Sequence, residues 1–513
     1  MRKIILILAF TGFIGTVFGQ QKSDYQAKGD VAYASQDYQA AIDNYTKAIN
    51  GSRIDKSILS VIYFYRGESY KNLNQFDKAV KDYTAAIKIN PQYREAYWSR
   101  AIVYGATRNL RASIADYKKA LALTPPEDNV NQATLYCNIA ASEGMMGQAD
   151  SALAHDSAAI KANPGYARAY NLRGHLYQSI DKYPEAITYF TRAIDNYKAD
   201  DPKMLSYWYT DLADAKSADK QLKEAINDYS LALKLNPDNG IAYWNRGGAY
   251  NRHQDYELAA SDYSKAMNYY KDDKENLSKL YVDRASNELG QSLLTPAIKD
   301  DSTAIALDPN NKSAYFNLAD AYTQNGDYQK AVDEYRAALK FDRSNKKLNA
   351  ILYFQIATNE YFLKEFDKVI NDCTTSISMD PGYSSAYFYR AKVYFKQLNK
   401  KDLAMKDFNK VIALDTTKKS VDYIFSLFYI GKGDQAADIL QKEIVNTTDE
   451  QQILGDYYNL ACLYSLMNKP EEANSYLKMA IDRGYAKKYA AADEDLDNIR
   501  NTADYKAIMG DSK

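Results

Sequence analysis

The sequence predicts an all-α solenoid, in which pairs of helices repeat along the chain and stack on one another. One stretch of ten residues recurs about every 72 residues, and a fixed period of this length is typical of repeat architectures. Within each copy, apolar residues lie three and four positions apart, which is the spacing of one face of an α-helix. The copies are AYWSRAIVYG from Ala96, AYNLRGHLYQ from Ala169, AYWNRGGAYN from Ala242, AYFNLADAYT from Ala314 and AYFYRAKVYF from Ala386.

Each copy predicts a helix, a tight turn and a second helix. In the copy from Ala242, one apolar stripe ends near Tyr250, HQD interrupts it at residues 253–255, and a second stripe follows. Small residues such as Gly247 and Ala259 occupy positions where the two helices must approach closely. Large residues such as Tyr263 fill the space around them. Such hairpins cannot bury their apolar faces alone, so we expect each to stack on its neighbours.

This pattern resembles the tetratricopeptide repeat (TPR), a helix–turn–helix of about 34 residues. The stretches from Tyr63 to Pro91 and from Tyr315 to Ala338 fit the repeat well, and the resemblance covers nearly the whole chain after the leader. It implies a right-handed superhelical solenoid of about thirteen repeats. A proline that ends the second helix recurs at Pro91, Pro125, Pro164, Pro237, Pro309 and Pro381.

The repeats are predicted to be organised as pairs of about 72 residues, because a short insertion occurs before every second repeat. The inserted residues, such as those from Lys198, are expected either to lengthen a loop or to add a turn to the next first helix. Near the end of the first helix, repeats without the insertion carry tyrosine, whereas most of the others carry Glu143, Lys216, Glu288 or Glu360. We expect these four charged side chains to face solvent.

The two ends of the chain differ from the repeats. Residues 1–19 combine a basic start, an apolar run and small residues before Gln20, which is typical of a secretory signal peptide, although an uncleaved anchor is the alternative. Residues 20–483 form the predicted solenoid, and residues 484–513 form a predicted C-terminal helical cap. The expected location is a periplasm or cell envelope, and secretion stays possible. No membrane span is expected after residue 20.

Composition excludes several classes of function. The chain has 65 basic and 66 acidic side chains, so it lacks the basic surface on which nucleic-acid binding depends. Its three histidines and three cysteines are too scattered for a metal site, and disulfides are not expected. We found no phosphate loop, nucleophile elbow or HExxH helix. The sequence therefore predicts a non-catalytic protein without cofactors, with a hidden enzyme as an alternative.

A periodic pair of charges indicates an ion pair that the repeats share. Arginine recurs in the first helix, and aspartate recurs just before the aromatic residue of the second. A guanidinium group can bind a carboxylate through two hydrogen bonds, so a structural ion pair is favoured over a site for an acidic ligand. The arginines are Arg66, Arg100, Arg173, Arg246 and Arg390, and the aspartates are Asp82, Asp116, Asp228, Asp262 and Asp407.

The candidate binding residues follow the first tyrosine of seven repeats: Phe64, Trp98, Trp244, Phe316, Phe354, Phe388 and Tyr458. The TPR resemblance implies that this side of the first helix lines a concave groove, where rigid rings can contact a partner segment. Alternatively, neighbouring repeats cover the rings. The predicted function is a scaffold or adaptor for protein partners of unknown identity. A glycan- or nutrient-binding envelope protein that uses the same aromatic residues is the alternative.

Overall fold

The computed structural model describes residues 24–51, 54–199, 201–341 and 344–510. The predicted signal peptide lies outside these residues. All regular secondary structure in the described ranges is helical, as the repeat pattern predicted. The chain forms two compact units, Met1–Tyr269 and Tyr270–Lys513.

The first unit contains fourteen α-helices in its described residues, paired into seven antiparallel hairpins. In each hairpin we call the earlier helix the first helix and the later one the second helix. The helices are α1 (Asp24–Ala34), α2 (Tyr38–Asn50), α3 (Lys56–Asn72), α4 (Phe76–Ile89), α5 (Arg94–Ala106), α6 (Leu110–Ala122), α7 (Asn129–Met145), α8 (Ala149–Ala162), α9 (Ala167–Gln178), α10 (Tyr183–Asn196), α11 (Pro202–Ala218), α12 (Leu222–Leu235), α13 (Gly240–Arg252) and α14 (Tyr256–Tyr269).

The second unit contains six further hairpins and a short helical end. The described residues therefore hold thirteen hairpins, the number that the sequence predicted. The helices are α15 (Lys274–Gly290), α16 (Leu294–Leu307), α17 (Lys312–Asn325), α18 (Tyr328–Ala338), α19 (Lys346–Phe362), α20 (Phe366–Met379), α21 (Ser384–Lys396), α22 (Lys401–Leu414), α23 (Val421–Tyr429), α24 (Gly433–Asn446), α25 (Glu450–Leu466), α26 (Pro470–Asp482), α27 (Lys487–Ala492), a 3₁₀ turn (Glu494–Leu496) and α28 (Ala503–Met509).

The periodic insertion adds a turn to the first helix. The first helices that follow an insertion have 17 residues, whereas α5, α9, α13, α17 and α21 have 12 to 14. Each long helix begins after an aspartate or asparagine whose side chain accepts a hydrogen bond from a backbone N–H of the first turn. This cap satisfies a backbone group that the helix start would otherwise leave unpaired. The caps are Asp55, Asp128, Asp201, Asp273, Asn345 and Asp449.

The prediction that the four charged residues near the end of the long first helices face solvent is wrong. Glu143 and Glu360 are buried, and Lys216 and Glu288 are half-buried. The inserted turn extends the helix at its start, so the residues near its end keep the packing register of the shorter helices. Three of the four have a partner of opposite charge or a histidine: Glu143 contacts His155, Lys216 contacts Asp228, and Glu360 contacts Arg336 of the preceding hairpin.

In several hairpins the core places a small residue of the first helix against a ring of the second, as predicted. The Tyr83 ring packs on Gly67 so closely that an added methyl group would lie 2.8 Å from its Cε1 atom. Gly174 meets Phe190 and Gly247 meets Tyr263 in the same way. Tyr83, Phe190 and Tyr263 are buried, so they anchor the contact between the two helices.

The periodic arginines bind aspartates through two hydrogen bonds, and the predicted ion pair is confirmed in four hairpins. Arg66 donates from Nε and Nη2 to the two Asp82 oxygens, both at 2.7 Å, and its Nη1 donates to Thr46 of the preceding second helix. One side chain thus ties together two consecutive hairpins. The four pairs are Arg66–Asp82, Arg100–Asp116, Arg246–Asp262 and Arg390–Asp407.

Two of the predicted partners differ. Arg173 binds Asp156 of the preceding hairpin at 2.6 Å, because Tyr189 stands where its own second helix would supply the aspartate. Asp228 binds Lys216 instead, because the first helix of that hairpin carries Leu212 at the arginine position. Asp156 and Asp228 therefore each have a cationic partner, although not the predicted one. This supports a structural role for the charges.

Candidate functional site

The first helices of neighbouring hairpins lie side by side. Within the first unit α1 contacts α3, α3 contacts α5, α7 contacts α9 and α11 contacts α13. Within the second unit α15 contacts α17, α19 contacts α21, α21 contacts α23 and α23 contacts α25. In each unit, we call the surface that these helices present, away from the second helices, the first-helix face.

Five of the seven predicted binding residues are half-buried: Phe64, Trp98, Trp244, Phe316 and Phe354. Three of these rings, those of Phe64, Phe316 and Phe354, contact rings of their own second helix or of the connection that follows it. The Phe316 ring meets Tyr335 edge to face, with centroids 5.8 Å apart. The Phe354 ring meets Tyr383 in the same way at 5.2 Å. Whether these five residues contact a partner stays a prediction.

The expected exposure of the other two rings is wrong, because Phe388 is 8% exposed and Tyr458 is 7% exposed. Phe388 packs edge to face against Phe408 of its own second helix. Tyr458 stacks on Tyr485 with ring centroids 3.9 Å apart. The alternative that neighbouring parts of the chain cover the rings therefore holds at these two positions.

A set of carboxylates on the first helices that bind buried tyrosines was not predicted from the sequence. In four hairpins the hydroxyl of the buried second-helix tyrosine donates to an acidic residue fifteen positions earlier. An acid followed fifteen residues later by tyrosine was the available signal. The hydrogen bond from the buried tyrosine fixes the orientation of each carboxylate. The pairs are Tyr45–Asp30 (2.9 Å), Tyr83–Glu68 (2.7 Å), Tyr229–Asp214 (2.5 Å) and Tyr335–Asp320.

Polar side chains converge in the first unit where α9, α11 and α13 adjoin. His175 Nε2 lies 3.2 Å from Asp211 Oδ2, to which Asn171 also donates at 3.0 Å. On the same helix as Asp211, Asp214 accepts from Asn245 at 2.8 Å. We call these five residues the His175 cluster. Its amides, carboxylates and partly exposed imidazole can donate to and accept from the backbone of a bound segment.

Burial and neighbouring charges shift the pKa values within the His175 cluster. Burial lowers the pKa of His175, but its hydrogen bond and attraction to Asp211 outweigh this, so the net shift is upward. Burial raises the pKa of Asp214 to about 6, although Tyr229 and Asn245 donate hydrogen bonds that favour its charged form. The cluster therefore changes its protonation near neutral pH.

In the second unit, the C-terminal end of the chain lies on the first-helix face. Leu496 and Ile499, which follow the last hairpin, are buried in the apolar core of the last repeats, and Tyr505 is nearly so. They fix the position of the residues Asp493–Asp495, which we call the acidic segment. Its three carboxylates all contact side chains of first helices.

The contacts of the acidic segment come from three first helices. Tyr361 of α19 donates to Glu494 at 2.5 Å. The Lys396 ammonium of α21 lies 2.6 Å from Asp495 and 3.1 Å from Glu494, and Lys392 of the same helix lies 3.1 Å from Glu494. The contacts include predicted binding residue Tyr458 of α25, whose hydroxyl donates to Asp493 at 2.7 Å.

Electrostatics favour the charged form of this segment. Burial alone would raise the pKa of Glu494, but the Tyr361 hydrogen bond and the charges of Lys392 and Lys396 lower it to about 2. The two lysines are largely covered, with 15% and 19% of their side chains exposed. This part of the first-helix face is therefore a basic and aromatic surface that binds the carboxylates of three consecutive residues.

Within the described ranges, no three or more histidine, cysteine or acidic side chains are arranged to hold a metal ion. No helix in the same ranges is both long enough and apolar enough to cross a membrane.

The chain matches sequence profiles of one kind of repeat. Sequence profiles described as tetratricopeptide repeat or TPR repeat match residues 60–93, 95–127, 167–200, 214–254, 302–333, 385–415 and 457–483. The DnaJ homolog subfamily C member 7 homolog of Schizosaccharomyces pombe is 25% identical over 390 residues, which are 73% of this chain and 75% of the relative.

Two further proteins are similar over most of the chain. The mitochondrial import receptor subunit TOM70 of Homo sapiens is 21% identical over 502 residues, covering 86% of this chain and 77% of the relative. A solved structure, the APC/C hetero-tetramer Cut9-Hcn1, aligns with 99% of both chains at 13% identity and a TM-score of 0.41.

Proposed function

We propose that this chain, which belongs to the tetratricopeptide repeat family, is a non-catalytic scaffold that binds segments of partner proteins on its first-helix face. One observation carries the proposal: part of that face already holds a peptide segment, the chain's own residues Asp493–Asp495. A surface that binds a short acidic segment in cis has the side chains needed to bind one in trans.

The first helices of the first unit offer contacts of their own. The half-buried rings of Trp98 and Trp244 provide apolar area at low entropic cost. The His175 cluster provides hydrogen-bonding groups held in place by their neighbours. The names of similar proteins, such as an import receptor subunit, agree with a role in protein–protein interaction.

We further propose that the protein acts outside the cytoplasm, in a periplasm or cell envelope. The basic start, apolar run and small residues of positions 1–19 support export. Cell fractionation and N-terminal sequencing of the purified protein test this. A first residue at or near Gln20 in the envelope fraction supports export, and an intact Met1 in the cytoplasm contradicts it.

The scaffold proposal is tested by crosslinking the tagged full chain in its native host and identifying the attached proteins. A double variant, Trp98→Ala with Trp244→Ala, removes two rings from the first-helix face. The matched control, Leu231→Ala with Leu258→Ala, removes two exposed apolar side chains from second helices. Circular dichroism confirms that both variants keep their helices.

We expect specific crosslinked proteins with the wild type and the control, and a loss of at least one of them with the tryptophan variant. Equal crosslinking by all three chains would place the binding surface elsewhere. The absence of any specific protein partner would overturn the scaffold proposal.

A further inference from the structure

We infer that Tyr361, Lys392, Lys396 and Tyr458 form a binding site for acidic segments of partner proteins. The chain's own acidic segment occupies this site and competes with those partners. The inference rests on the proposed function, because it names the class of ligand for one part of the first-helix face. Three observations support it.

The first observation is charge complementarity. Both lysines direct their ion pairs to Glu494 and Asp495, at distances between 2.6 and 3.7 Å. They come from one helix, α21, one turn apart, so they present two ammonium groups to successive carboxylates. The Lys392 ammonium also lies 5.4 Å from the centre of the Tyr361 ring, which helps to position it.

The second observation is that the site binds three consecutive residues, at the start of the 3₁₀ turn, rather than a single charge. Tyr458 binds Asp493, Tyr361 binds Glu494 and Lys396 binds Asp495, so three consecutive side chains each have a partner. The three partners stand on α25, α19 and α21 of the second unit. A ligand with a single carboxylate could replace only one of the three carboxylates that these side chains bind.

The third observation is that the carboxylate contacts and the apolar anchors of the C-terminal end are separate. Leu496 and Ile499 are buried in the core of the last repeats, whereas Glu494 is about one-third exposed. The anchors keep the acidic segment near the lysines, which gives it a high effective concentration. A partner must therefore compete with a tethered occupant, and its binding depends on how firmly the anchors hold.

The test uses the full chain and a fluorescent peptide that copies residues 489–500, YAAADEDLDNIR. A control peptide replaces the acidic segment with Asn-Gln-Asn. The release variant, Leu496→Asp with Ile499→Asp, weakens the anchors and leaves the lysines in place. A second variant adds Lys392→Glu and Lys396→Glu to the release variant. Fluorescence anisotropy measures the affinity of each chain for each peptide.

We expect the release variant to bind the acidic peptide at least about tenfold more tightly than the wild type. The lysine substitutions and the Asn-Gln-Asn peptide should each reverse this gain. Equal binding by the wild type and the release variant would show that the acidic segment does not compete. Equal binding of both peptides, or no effect of the lysine substitutions, would refute the acidic-segment site.

A second readout covers the case in which the release variant fails to fold. Excess acidic peptide should accelerate hydrogen exchange of residues 487–510 in the wild type, and the Asn-Gln-Asn peptide should not. Unchanged exchange at saturating peptide would overturn the inference. If crosslinking still finds partners that depend on Trp98 and Trp244, the scaffold proposal stands even though this inference has failed.

Discussion

At the scale of single residues, Asp301 is the side chain whose burial is least compensated. It occupies the position in α16 at which most other second helices carry a buried ring, it is 0% exposed, and neither of its carboxylate oxygens has a hydrogen-bond partner. Burial, and then the nearby charges of Asp300, Glu288 and Asp320, raise its pKa to about 9. The folded protein therefore keeps this carboxyl protonated at neutral pH.

The raised pKa predicts that Asp301→Asn stabilises the protein, and more so at pH 8 than at pH 5. Between pH 3.8 and about 9 the unfolded chain ionises Asp301 while the folded chain does not, so wild-type stability falls by up to about 1.4 kcal/mol per pH unit. Asparagine has a similar size and removes this dependence. Thermal unfolding at both pH values measures the effect, with the exposed Asp150→Asn as control. A variant that gains nothing at pH 8 relative to pH 5 would contradict the assignment.

A second residue-scale prediction concerns the close contact between Gly67 and Tyr83. Gly67→Ala should destabilise the protein by about 1–3 kcal/mol, because the new methyl group would lie 2.8 Å from a ring that cannot move freely. The Tyr83 hydroxyl holds the ring in place by donating to Glu68. Gly455→Ala in α25 is the matched control, since an added methyl group there meets nothing within 4 Å. Urea unfolding should show a loss for the first variant and none for the second.

At the scale of helices, the inserted turns depend on their N-terminal caps. The Asp273 side chain accepts from the backbone N–H of Asn276, and this hydrogen bond is the largest cause of its lowered pKa. Asp273→Ala should destabilise the start of α15 and accelerate hydrogen exchange in its first turn. Asp272→Ala, next to the cap, serves as the control. Equal exchange in both variants would show that the cap does not hold the inserted turn.

Helical elements were predictable because their signal repeats. The spacing of apolar residues, the number of hairpins, the small residues opposite rings and most of the arginine–aspartate pairs could all be predicted from the sequence. The environment of Glu143 or Glu360 could not, because periodicity does not show at which end of a helix an inserted turn is added. The binding of Glu494 by Tyr361 joins residues 133 positions apart, and a single contact of this kind leaves no periodic signal.

At the scale of the whole molecule, the repeats predict that damage stays local. Within each unit, neighbouring hairpins contact one another, and the Arg66 side chain connects its hairpin to the one before it. The stability of such a chain is approximately a sum of repeat and nearest-neighbour contributions, so a strained hairpin can open without unfolding distant ones.

Gly67→Ala should therefore accelerate hydrogen exchange in α3 and α4, and more weakly in the hairpins on either side, while leaving α19 to α26 at their wild-type rates. Leu496→Asp should accelerate exchange only in the C-terminal hairpins, because Leu496 is buried in their core. Helices α3 and α4 should then keep their wild-type rates. Peptide-resolved exchange by mass spectrometry measures both variants together with the wild type. A uniform increase along the chain after either substitution would mean that the thirteen hairpins unfold as one cooperative body, and nearest-neighbour packing would then not describe their stability.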